Sequence, residues 1–166
     1  DTIPLPDYLS KFHGYIEDDL KPRAACSYAS EVWFDYMSKQ VVQFLRELAE
    51  TPEGDRLFAI QIANGIYGEN HYWAFLHHDP DTSEPMRRKF AQFLTAKYGG
   101  DFSSIQVPGL ERNEVSCGIF RDPEKEHLVS DYYECQHHTV TDSILKFAKL
   151  IKQNWPRKIL TGAFYG

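Results

Sequence analysis

The sequence predicts an α/β fold, and three observations carry that reading. Two short apolar runs, Leu57 to Ile62 and Lys158 to Gly166, have the length and composition of buried strands. Three longer segments, about 30–50, 85–98 and 128–154, repeat their apolar residues at steps of three and four, the spacing of amphipathic helices. The order helix, strand, helix, long loop, helix, strand implies parallel pairing of the two strands. Two strands cannot close a sheet or cover three such helices. Residues 1–166 therefore read as one partial domain, a piece of a (β/α)8 TIM barrel, which in full needs roughly 250 residues.

Residues 1–29 read as loop. Prolines at 4, 6 and 22, Gly14 and the acidic cluster Glu17-Asp18-Asp19 keep regular structure short. Ser30 is a good N-cap for the first helix, and Glu31 suits its positive end. Its stripe runs through Trp33, Met37, Val41, Phe44, Leu45 and Leu48. Pro52 and Gly54 stop it, and the first strand begins almost at once. The second helix opens on Pro85, a residue tolerated in a first turn, and ends at Gly99-Gly100. Met86, Phe90, Phe93, Leu94 and the stem of Lys97 form its stripe. Residues 99–128 show little periodicity and read as a binding loop or lid, with Glu114 to Phe120 as a strand or extended segment. In the third helix the stripe is Tyr133, His137, Val140, Ile144, Phe147 and Ile151, and Pro156 ends it.

Hydrophobic content of 42% and charged content of 25% are those of a globular domain. A net charge of −6 argues against nucleic acid as a partner, which wants a basic stripe. No run approaches eighteen apolar residues, so no membrane span is expected, and Asp1 to Pro6 does not read as a signal peptide. Cys26, Cys117 and Cys135 are widely spaced and odd in number, which favours buried free thiols; one disulfide plus one free thiol stays open. The pairs His77-His78 and His137-His138 lack the i, i+4 spacing of helical metal ligands and read as surface or capping residues; no cofactor is expected, and a metal-dependent hydrolase using these pairs is a third alternative.

The stretch that bears chemistry is 57–73. The first strand runs into Gly65 and Gly68, and directly after them come Glu69, Asn70, His71, Tyr72 and Trp73. Glu69 can move a proton to or from a glycosidic oxygen. As an acid it needs a raised pKa, which burial against Tyr67 or Trp73 would supply. Asn64, Asn70 and His71 offer hydrogen bonds to sugar hydroxyls, and each serves equally as a turn or loop residue. Trp73 is a flat platform for a pyranose ring or a core indole. Tyr165, at the end of the second strand, shares the Glu69 face if the strands are parallel. Asp131 reads as a carboxylate compensating a helix dipole.

Several short stretches resemble β-galactosidase-like glycoside hydrolases of clan A. They are Ser30-Glu31-Val32-Trp33, then Gln61 through Trp73, Phe93-Leu94-Thr95-Ala96-Lys97-Tyr98-Gly99, Ser130-Asp131-Tyr132-Tyr133, and Gly162-Ala163-Phe164-Tyr165-Gly166. Their order is the one such enzymes show from the third helix to the fifth strand. The resemblance implies a TIM barrel and a retaining hydrolase of β-linked sugars, possibly β-galactosides. It implies Glu69 as acid/base; Asn64, Tyr67, Asn70, His71, Trp73 and Tyr165, read from their chemistry and position, are the candidate residues for binding a carbohydrate substrate. The nucleophile is expected outside these residues, on the remainder of the barrel from the same longer chain. One departure stands: where the clan commonly has an Asn-Glu pair at the strand end, this chain has Asn64-Gly65, with the carboxylate four residues later. A carbohydrate-binding protein that has lost its acid/base is the alternative.

Overall fold

The structure is a computed structural model and describes residues 14–16, 22–63, 68–70, 81–109, 112 and 117–164. Its elements are β1 (Gly14–Ile16), β2 (Pro22–Cys26), α1 (Glu31–Ala49), a 3-10 turn (Gly54–Arg56), β3 (Ala59–Ile62), α2 (Glu84–Tyr98), α3 (His127–Asn154) and β4 (Leu160–Ala163). All three helices and both strands expected from periodicity are present within two or three residues of the expected bounds. The parallel pairing of β3 with β4 is also present, in the register Ala59↔Leu160 to Ile62↔Ala163.

The barrel expectation is overturned. The described strands form two separate two-stranded sheets, β1-β2 and β3-β4. Among the described residues, three helices and one parallel strand pair make an α/β-mixed fold with too little strand for part of a (β/α)8 barrel. A right-sized apolar run after an amphipathic helix specifies one βα step, but not how many steps follow. The loop reading of residues 1–29 also fails in part, because β1 and β2 pair antiparallel there across an irregular register.

The chain divides into two compact units. The first joins Asp1–Ser30 to Ala74–Thr139, and the second joins Glu31–Trp73 to Val140–Gly166. Helix α3 contributes to both.

In the first unit the core is Met86, Phe90 and Leu94 of α2 with Tyr132 and Cys135 of α3. These are steps of four on α2 and of three on α3, so one stripe of each helix is dry. Phe90 meets Tyr132 edge to face, with centroids 5.5 Å apart. The buried tyrosine is thus Tyr132 rather than Tyr133, and His137 of the expected stripe is exposed. Lys97 does more than lend its stem: its Nζ donates to Asp131 Oδ1 at 2.8 Å and to Glu134 Oε2 at 2.6 Å. Tyr98 donates to the other Asp131 oxygen at 2.8 Å. These carboxylates, Asp131 foremost, hold the Lys97 ammonium above its usual range. Asp131 is buried, and its partners lie on α2.

In the second unit α1 packs through Trp33 and Leu45, and α3 through Val140, Phe147 and Ile151. Trp33 and Phe147 meet at 5.7 Å, edge to face. Phe34 also reaches Phe147, at 5.0 Å. The α1-to-β3 turn is tight. A Cβ at Gly54 would stand 2.0 Å from the Leu48 carbonyl oxygen. Arg157 pins this turn from the far end of the unit, donating to Asp55 Oδ1 at 2.9 Å and to the Gly54 carbonyl.

Candidate functional site

Because β3 and β4 are parallel, their C-terminal ends lie together. Open α/β sheets bind their ligands at that edge. The chain returns to it at Gly68, whose φ of 81° is a left-handed conformation that glycine adopts without penalty. A Cβ there would meet the Ala63 Cβ and Gln61 Nε2 at an ordinary 3.7 Å, so conformation rather than space selects glycine.

Glu69 then forms a parallel bridge with Phe164, which carries the ladder one residue past β4. Asn70 donates its backbone N–H to the Phe164 carbonyl at 2.8 Å. Its side-chain amide Nδ2 donates to the same oxygen at 2.9 Å and to the Ile62 carbonyl at 3.1 Å. One buried amide, 2% exposed, thereby ties the turn to the ends of both strands. Glu69 sits beside it, half-buried.

Of the residues singled out from sequence, Glu69 and Asn70 are brought to this edge. Asn64, Tyr67, His71, Trp73 and Tyr165 lie outside the described residues. Sequence reasoning missed Phe164, which is 61% exposed and receives both Asn70 donors. Its only signal was its place beside Tyr165 at the end of an apolar run.

A second concentration of buried polar groups lies in the first unit. The Tyr132 hydroxyl accepts the Asp81 backbone N–H at 2.7 Å and donates to the Asp81 carbonyl at 2.6 Å. Asp81 Oδ1 accepts the Ser83 N–H at 2.9 Å, which sets the chain's entry into α2. The Arg112 guanidinium lies over the Tyr132 ring, 5.1 Å from its centroid, and is 2% exposed. Burial pushes the Tyr132 phenol well above its ordinary value. The hydroxyl is spent on the backbone N–H and C=O of Asp81, so its role here is structural.

Cys26 is half-buried, Cys135 buried and Cys117 exposed, and all three are free thiols. Among the described residues no three His, Cys, Asp or Glu side chains gather as a metal ion would require. His138 instead approaches Glu134, at 3.8 Å. No described helix is long and apolar enough to cross a membrane. Comparison with protein-family models, with curated proteins and with solved structures gives no match to this chain.

Proposed function

We propose that the protein hydrolyses β-linked glycosides, with Glu69 as the group that protonates the leaving oxygen. The observation that carries this reading is the placement of Glu69 at the carboxyl end of a parallel strand pair, its backbone bridged to Phe164 and its neighbour Asn70 clamped to both strands. A proton donor must hold its position while the substrate changes shape, and a turn pinned by three hydrogen bonds supplies that. In a retaining mechanism a second carboxylate about 5–5.5 Å away attacks the anomeric carbon and the first then acts as base toward water. The family resemblance assigns that second carboxylate to a position outside these 166 residues. The strand-end carboxylate and the short motifs shared with those hydrolases support this reading; the barrel itself does not.

A second reading is a carbohydrate-binding protein without turnover. Gly65, at the position where the clan pattern has its glutamate, favours it. One experiment separates the two. Turnover of aryl β-glycosides, β-galactosides among them, is measured for the full-length protein, which must supply the second carboxylate, and for its Glu69→Gln variant, with sugar binding measured alongside. The hydrolase reading expects a loss of roughly 10²–10⁴-fold with binding retained, and a smaller loss for leaving groups acidic enough to depart unprotonated. Undiminished turnover in E69Q sinks the assignment of Glu69. Binding without turnover in the unsubstituted protein establishes the second reading.

A further inference from the structure

The N-terminal ends of β3 and β4 carry a different chemistry. A cavity of about 770 Å³ opens there, within the roughly 300–1,000 Å³ of small-molecule sites. Three cations line it: Lys152 from the last turn of α3, and Arg157 and Lys158 from the turn that follows. Its apolar wall is Phe58 and Leu160, 75% and 66% exposed.

Arg157 is held by Asp55 and the Gly54 carbonyl, and its guanidinium lies 5.4 Å from the Trp155 ring centroid. It is therefore a fixed charge, partly offset by Asp55. Lys152 and Lys158 have no ion-pair partner among the described residues. In the same turn the indole N–H of Trp155 is buried with no partner among the described residues, although Trp155 is not in the cavity lining. Compensation of a helix dipole accounts for Lys152 alone. It does not account for Lys158, nor for the two large exposed apolar side chains that line the same cavity. In a chain with 18 basic and 24 acidic residues, three converging cations against one carboxylate are a local reversal of sign. They fall short of the roughly six to ten phosphate contacts typical of nucleic-acid binding.

We infer that this cavity binds a small organic anion, a phosphate or carboxylate carried on an aromatic or aliphatic body. The anionic group sits between Lys152 and Lys158, and the body lies against Phe58 and Leu160. The site is separate from Glu69. Four residues of strand, about 13 Å, divide Phe58 and Leu160 from the Asn70 clamp.

Calorimetric titration of the protein with phenyl phosphate and with phenylacetate tests this, the two probes deciding between headgroups. Inorganic phosphate and benzyl alcohol each present half of the chemistry. The whole probe should bind one to one and more tightly than either half. Replacing both lysines (K152Q with K158Q) should weaken it roughly tenfold and flatten its salt dependence. Phe58→Ser should weaken it with the salt dependence kept. All three side chains are exposed, so these variants should fold. The inference is overturned if neither whole probe binds, if a half-probe binds as tightly as the whole, or if the double lysine variant leaves affinity and salt dependence unchanged. E69Q should leave this binding untouched, so its outcome is independent of the hydrolase reading.

Discussion

Asn70 and Phe164 stand 94 positions apart and meet through two donors on one oxygen: the Asn70 backbone N–H at 2.8 Å and its side-chain Nδ2 at 2.9 Å, both to the Phe164 carbonyl. The same Nδ2 also reaches the Ile62 carbonyl, so a single amide closes the end of the parallel pair.

Asn70→Ala should lower stability by about 1–3 kcal/mol, because the Ile62 carbonyl loses a buried donor. Asn70→Asp should cost at least as much, since a carboxylate would face two carbonyl oxygens. Urea titration should show a lower midpoint with an unchanged slope. A midpoint equal to that of the unsubstituted protein for both variants would remove the clamp from the account.

Tyr132→Phe should cost about 1–3 kcal/mol, since it removes the hydroxyl that bonds both the N–H and the C=O of Asp81. The phenol also makes stability pH-dependent. Burial raises its folded-state pKa above the ordinary value of 10.0, so the neutral form is favoured when folded. This contribution is complete below about pH 10 and falls as pH rises further, because the unfolded chain then binds fewer protons than the folded one. Denaturant midpoints taken from pH 8 to pH 12 should decline less steeply for Y132F than for the unsubstituted protein.

Gly54→Ala should destabilise by about 1–3 kcal/mol, the usual scale for overpacking. The new Cβ meets a backbone oxygen at 2.0 Å, which no side-chain rotation relieves. Thermal unfolding should start earlier, by about 2–4 °C per kcal/mol for a chain of this length. An unchanged transition would mean that the turn relaxes freely.

The three thiols should alkylate in a fixed order. Cys117 is exposed and should react first. Burial pushes the Cys26 thiol up to about 11, so at pH 8 it is almost wholly protonated and should lag. Cys135, 1% exposed in the core of the first unit, should react on unfolding. Timed maleimide labelling with peptide mass analysis reads the order directly.

The helices were legible because Met86, Phe90 and Leu94 keep a strict step of four, and the structure buries all three completely. The strand pair was legible because Leu57 to Ile62 is too short and too apolar for a helix. The β1-β2 pairing was not, since Gly14 and Pro22 both read as punctuation and the strands carry no alternating apolar pattern, although Gly14 pairs with Cys26 and Ile16 with Pro22 close along the chain. The barrel was an over-extension of one true parallel pair. The clamp on Glu69 was hidden for a related reason: no pattern within ten residues of Asn70 announces a carbonyl 94 positions later. Lys97 and Asp131 show the limit of single-residue reasoning, because each looked explicable on its own helix, while their 2.8 Å contact is tertiary.

The parallel pair of β3 and β4 has a practical consequence for anyone handling the protein. Ala59–Ile62 and Leu160–Ala163 contain no lysine, no proline and no charge to repel a neighbouring molecule. Each strand has one flank without a partner strand among the described residues. Concentrated stocks should therefore cloud by lateral strand addition, and a lysine placed at Gly162, where no atom lies within 4 Å of a new Cβ, is the natural way to keep them clear.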